Sequence, residues 1–169
     1  ADQLKAGATA SETFTYAAIN AAGTSATTTL KLTVTGVNDA PVLVTSPATL
    51  NAITEDQTTN SGQLVSTFLN ATDADSSALR GIALTGLTSG NGTWQYSINN
   101  RASWISVGAV SETSALLLRA TDYIRFVPNG ATGTTADITY HAWDQTSGAA
   151  GARVDATASG NETAFSTAT

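Results

Sequence analysis

The sequence predicts an all-β chain built from sandwich modules, and three observations carry that expectation. Apolar residues make up 41% of the 169 residues and charged residues only 12%, so the polar surface is mostly Thr, Ser, Asn and Gln, where most domains carry about a quarter charged residues. Thr and Ser interleaved with Val, Ile and Tyr favour strands. No long segment repeats its apolar residues at helical spacing; the apolar runs are short and bounded by turn residues.

Taken in order, the first strands are those of FTYAAIN (residues 14–20) and SATTTLKLTV (residues 25–34), separated by the small-residue turn AAGTS. The motif returns as ITYHAWD (residues 138–144), again followed by a small-residue turn, QTSGAAG, and a Thr-rich stretch, NETAFSTAT. The spacing is 138 − 14 = 124 residues, too long for a solenoid and suited to a string of sandwich domains. Residues 1–37 therefore read as the last strands of one module, and residues 38–169 as the next module without its final strand, since no equivalent of LKLTVTG follows AFSTAT. Such a loss leaves a sheet edge open, which natural sheets avoid. With neither an initiating Met nor a signal peptide, the chain reads as part of something longer.

Inside the second module the strand candidates are 42–44, 62–68, 79–87, 92–98, 103–107, 115–118, 123–127, 136–143 and 163–167. Asn129-Gly130 and the Asn99-Asn100-Arg101 region read as turns. Phe126, Tyr140, Trp94 and Trp104 are the candidate core aromatics.

The charge balance excludes several functions. A formal charge of −6 with five arginines and two lysines dispersed along the chain offers no basic patch for nucleic acid or an anionic membrane surface. Without cysteine neither a disulfide nor a thiolate metal site can staple the fold. An acidic chain can use a cation instead.

Asp39, Glu55, Asp73, Asp75 and Asp144 stand where calcium ligands would serve. Calcium takes six to eight oxygens from carboxylates, amides, carbonyls and water in flexible geometry. Asp73 and Asp75 project to the same side of an extended segment. Asn38 offers an amide oxygen beside Asp39, and Asp144 follows a strand end. If the three loops meet at one end of a sandwich, the carboxylates repel until a cation joins them.

Asn38-Asp39-Ala40-Pro41, the ATDAD of residues 71–75 and the AWD of residues 142–144 resemble the calcium motifs of cadherin repeats. The wider text, with KAGATASETFTY leading to TVTGVNDAPVL and NGTWQYSINNRASW leading to IRFVPNG, is similar to bacterial cadherin-like and VCBS-type repeats of giant secreted RTX-type adhesins. The resemblance implies a Greek-key sandwich of cadherin or immunoglobulin-like type with calcium shared at the joint. It also implies a non-catalytic extender or adhesion role on a bacterial surface, with adjacent repeats as partners and no membrane insertion. Glu55 corresponds to a glutamate that binds at the opposite end of a cadherin repeat. Two positions depart from the family: the turn usually rich in Asp reads Ser97-Ile98-Asn99-Asn100-Arg101, and Asp122 is followed by Tyr123-Ile124 rather than by an Asp-x-Glu pair.

Other residues read more plainly. His141, the one histidine, reads as an outward-facing strand residue, and Ser97 and Ser103 have no base partner, so no catalytic set forms. Trp94, Tyr96, Trp104 and Trp143 read chiefly as core but offer a rival, a carbohydrate-binding face with a cell-surface glycan as partner. The incomplete ends offer another, a filament subunit that self-associates by strand complementation. The triplets at Asn70, Asn91 and Asn161 match the glycosylation pattern as Thr-rich chains do by chance.

Overall fold

A computed structural model describes residues 4–45 and 48–169; residues 1–3 of the expected leading module lie outside this set. The described chain contains fourteen strands, one short 3-10 turn and no α-helix. An antiparallel hairpin opens it, β1 (Thr9–Tyr16) with β4 (Thr28–Thr35), enclosing the two-residue pair β2 (Ile19–Asn20) and β3 (Gly23–Thr24). There follow β5 (Val42–Leu43), β6 (Gln63–Leu64), β7 (Ala71–Thr72), β8 (Gly81–Leu87) and β9 (Gly92–Ser97). The last are β10 (Ile105–Ser106), β11 (Ala115–Arg119), β12 (Tyr123–Pro128), β13 (Ile138–Trp143) and β14 (Arg153–Val154).

Two four-stranded antiparallel sheets, β10-β9-β12-β6 and β13-β8-β11-β14, face each other, and β5 pairs with β7 beside them. One core fills the space between. Trp94, Tyr96 and Ile124 enter it from the first sheet and Ile82, Leu84, Leu116, Leu118 and Ala142 from the second. The chain is thus an all-β sandwich.

The second sheet is buried on both faces. Leu116 and Leu118 point into the main core, while Ala115 and Leu117 point the other way and pack with Ala83, Trp143, Ala156, Ala164 and Phe165. This layer explains why ALLL is apolar without alternation, since a strand covered on both sides has no solvent face. It also corrects the reading of His141. The ring does face away from the main core, but the C-terminal segment covers that face and leaves it 5% exposed. There Nδ1 lies 2.5 Å from the Ser166 carbonyl and Nε2 3.0 Å from Glu112 Oε2.

Several expected strands shorten. Residues 62–68 form a strand only at Gln63–Leu64 and then a 3-10 turn at Val65–Thr67. There the Val65 and Ser66 amides bond to the carbonyls of Asp122 and Ala120, which diverts the backbone from a ladder. Residues 163–167 make one bridge, Phe165 to Trp143. The turn after β9 is held by side chains, with Asn99 Oδ1 accepting from Ser97 Oγ and the Ser103 amide, and with Asn100 and Arg101 at positive φ. Gly81 is required by contact: a Cβ there would lie 2.5 Å from the Leu118 carbonyl and 2.7 Å from the Trp143 ring. Gly81→Ala is expected to cost about 1–3 kcal/mol by overpacking, measurable by urea unfolding; a change within about 0.5 kcal/mol, the ordinary range for surface sites, would contradict that contact.

Candidate metal centre

The joint between hairpin and sandwich runs through residues 36–41, and its side chains and amides are clamped to the sandwich. Asn38 Nδ2 donates to Asp144 Oδ2 at 2.8 Å and to the Thr163 carbonyl at 3.1 Å. The Asp39 amide donates to Asp75 Oδ2 at 3.1 Å, and the Ala40 amide to the Asn161 carbonyl at 2.8 Å. Asp73 Oδ1 in turn accepts from the Asp75 amide at 2.8 Å, a local turn that sets the two carboxylates close together. Asp144 follows β13, its Oδ1 accepting from the Thr146 amide and hydroxyl. Asn38, Asp39, Asp73, Asp75 and Asp144 therefore come from three distant stretches to one place.

That place lacks balance in two respects. Asn38 Oδ1, Asp73 Oδ2 and Asp75 Oδ1 are buried oxygens without a hydrogen-bond partner, a costly condition. Among the described residues no lysine or arginine pairs with any of the four carboxylates; the Arg–carboxylate pair is Arg119–Asp122, and Glu112 lies against His141. Burial, then the negative charges of Asp144, Asp75 and Asp39, push the Asp73 carboxyl above its ordinary value. As they stand, no three acidic or imidazole side chains among the described residues converge tightly enough to ligate one ion, so binding would require side-chain rotation. The donor chemistry fits calcium: all oxygen, mostly anionic, with open acceptor sites. The ion would supply the missing positive charge and tie the joint to the sandwich.

Glu55 is not part of this cluster. It is exposed, beside Gly133 in the loop before β13, whereas Asp144 follows that strand. Asp122, only 2% exposed, is paired with Arg119 at 2.8 Å. The loop at residues 161–163, whose carbonyls anchor the joint, and Thr146 are not among the residues the sequence points to. Asn161, a residue type that tolerates positive φ, adopts φ 54° there.

The aromatic residues are committed elsewhere. Trp94 is 3% exposed, donates to the Thr88 carbonyl and packs edge-on to Phe126, while Trp143 donates to the Ser147 carbonyl. Trp104 lies under the Arg125 guanidinium at 4.1 Å. A sugar-stacking face built on Trp94 and Trp143 is therefore not present.

The chain matches no protein-family model, no curated protein and no solved structure. No helix of the described residues is long and apolar enough to cross a membrane.

The raised Asp73 carboxyl sets a pH dependence in chelator. Between 3.8 and its raised folded value the native state binds more protons than the unfolded one, so stability falls as pH rises through that window. Asp73→Asn is expected to melt above the parent at neutral pH, with the gap closing as pH drops through the carboxylate range. Parallel melting curves across that range would contradict the repulsion.

Proposed function

We propose that the chain is a calcium-stiffened extender or adhesion repeat of a large secreted or cell-surface bacterial protein, acting without catalysis. The hairpin is the end of a preceding repeat, and residues 38–169 are a cadherin-like repeat with Greek-key connection. The observation that supports this most is the joint itself. Four carboxylates and an amide, drawn from the joint and from two sandwich loops, are brought near one another with three buried oxygens unpartnered and, among the described residues, no lysine or arginine paired with them. Calcium held there restricts bending between neighbouring repeats, and a string of such joints becomes a rod.

The chain has no cysteine, so spin labels can be placed cleanly at exposed Thr33 and Thr93. The distance distribution between them is expected to be broad in EDTA and narrow in millimolar calcium. Equal widths in both conditions would remove the stiffening role.

A further inference from the structure

His141, the one histidine, stands between two oxygens that can only accept. Its Nδ1 meets the Ser166 carbonyl and its Nε2 meets Glu112 Oε2, and neither a backbone carbonyl nor an ionised carboxylate has a proton to give. A neutral imidazole carries one N–H and one lone pair. It therefore satisfies one partner and turns its lone pair on the oxygen of the other. The imidazolium alone donates to both, so the two contacts are complete when the ring is doubly protonated.

The two partners differ in what they lose with the proton. Ser166 is 1% exposed, its amide donates to the Ala142 carbonyl and its hydroxyl accepts from the Ala142 amide. A carbonyl stripped of its donor at such a place is the costly case. The Glu112 side chain is 47% exposed, so water replaces its bond at little cost. A ring with one proton thus keeps it on Nδ1, and Glu112 lets go. Glu112 belongs to the tight turn Ser111–Ser114 before β11, and its own carbonyl accepts from the Ala156 amide at 2.7 Å. The doubly protonated ring therefore ties this turn to β13 and to the segment around Ser166 that lies on it.

Among the described residues Glu112 is the one ionisable group bonded to the ring. β8, which sets Ala83 opposite His141, carries no titratable side chain. On β13 itself Tyr140 packs against the main core, and Asp144 is engaged by Asn38 and Thr146. Arg119 of β11 is paired with Asp122. On and beside β14, Arg153 donates to the carbonyls of Val107, Ala109 and Ser114, and Asp155 accepts from Thr157. Glu162, before the covering segment, is exposed. We propose that His141 and Glu112 form a proton-operated clasp. It is closed on the acid side of the range where histidines titrate, about pH 6.5, and it frees the turn at Ser111–Ser114 on the alkaline side while the Ser166 bond holds. The clasp rests on these bonds alone and is independent of the calcium reading.

The parent and Glu112→Gln are compared in EDTA at about pH 6 and about pH 8, either side of the histidine range. A glutamine amide accepts from Nε2–H through its oxygen or donates to the Nε2 lone pair through its nitrogen, so the contact survives in both protonation states. Glu112 is exposed, so the substitution leaves the sandwich intact. The midpoint of the parent minus that of Glu112→Gln is expected to fall by about 2 °C from the acid to the alkaline condition, the size for a half-exposed ion pair. The pH dependence set by Asp73 is common to both chains and cancels. A difference that does not change with pH overturns the clasp. Nitrogen-15 spectra of the single histidine should show both ring nitrogens protonated in acid and a proton on Nδ1 alone in base; a proton kept on Nε2 instead overturns the order of release. In the parent the Ala156 amide should exchange faster in base, relative to the Leu117 amide, than it does in acid. An unchanged ratio overturns the freeing of the turn.

Discussion

In millimolar calcium the chain is expected to melt about 10 °C higher than in EDTA, since free ion at roughly a hundredfold over its dissociation constant adds about 2.7 kcal/mol to the native state. The physical basis is the uncompensated charge at the joint, where burial and three neighbouring carboxylates already disfavour ionised Asp73. Asp73→Asn should act with opposite signs in the two conditions. In chelator it relieves repulsion and raises the midpoint, while in calcium it deletes a ligand and removes most of the rise. That crossover separates a metal site from a set of turn-capping acids, for which the substitution would lower stability equally in both conditions. Differential scanning calorimetry of two proteins in two buffers decides it.

Trp143→Ala is expected to cost about 3–5 kcal/mol, the range for removing a large buried aromatic, and to weaken the calcium response as well. Trp143 is 2% exposed at the centre of the second layer, and its Nε1 donates to the Ser147 carbonyl at 2.8 Å. That bond closes the turn beginning at Asp144. Trp143→Phe keeps most of the volume and loses the hydrogen bond, so it should cost less in stability while still loosening the turn. Urea unfolding with and without calcium separates the two effects. Equal calcium shifts in the parent and both variants would show that the turn needs no support from the indole.

The sandwich was legible where chemistry repeats over several residues. The run at Ala115–Leu118 and the Tyr123–Val127 segment both lie in strands at nearly the expected bounds. Ala71–Thr72 and Arg153–Val154 were not foreseen, because two-residue pairings carry no periodicity for a sequence to display. His141 was misread for a related reason. Alternation along β13 shows which face a residue takes, but not that a distant, irregular segment covers that face. Residue order alone places Asn38, Asp39, Asp73, Asp75 and Asp144 in separate loops, and the hydrogen bonds Asn38–Asp144 and Asp39–Asp75 tie those loops together. The part played by residues 161–163 was not legible, since backbone carbonyls leave no mark in a sequence.

The way the joint is anchored determines how the protein meets tension. Pulling at Val37 loads two attachments at once: the short β5–β7 ladder, and the set of bonds from Asn38 and Ala40 to Asp144, Asn161 and Thr163. The second set delivers force to β13 and the segment stitched along it, both covered by the same apolar layer around Trp143 and Phe165. The sheet containing β9 and β12 stays outside this line of force. Tension applied at the joint is therefore borne first by the flank that holds β13, while the opposite sheet is spared.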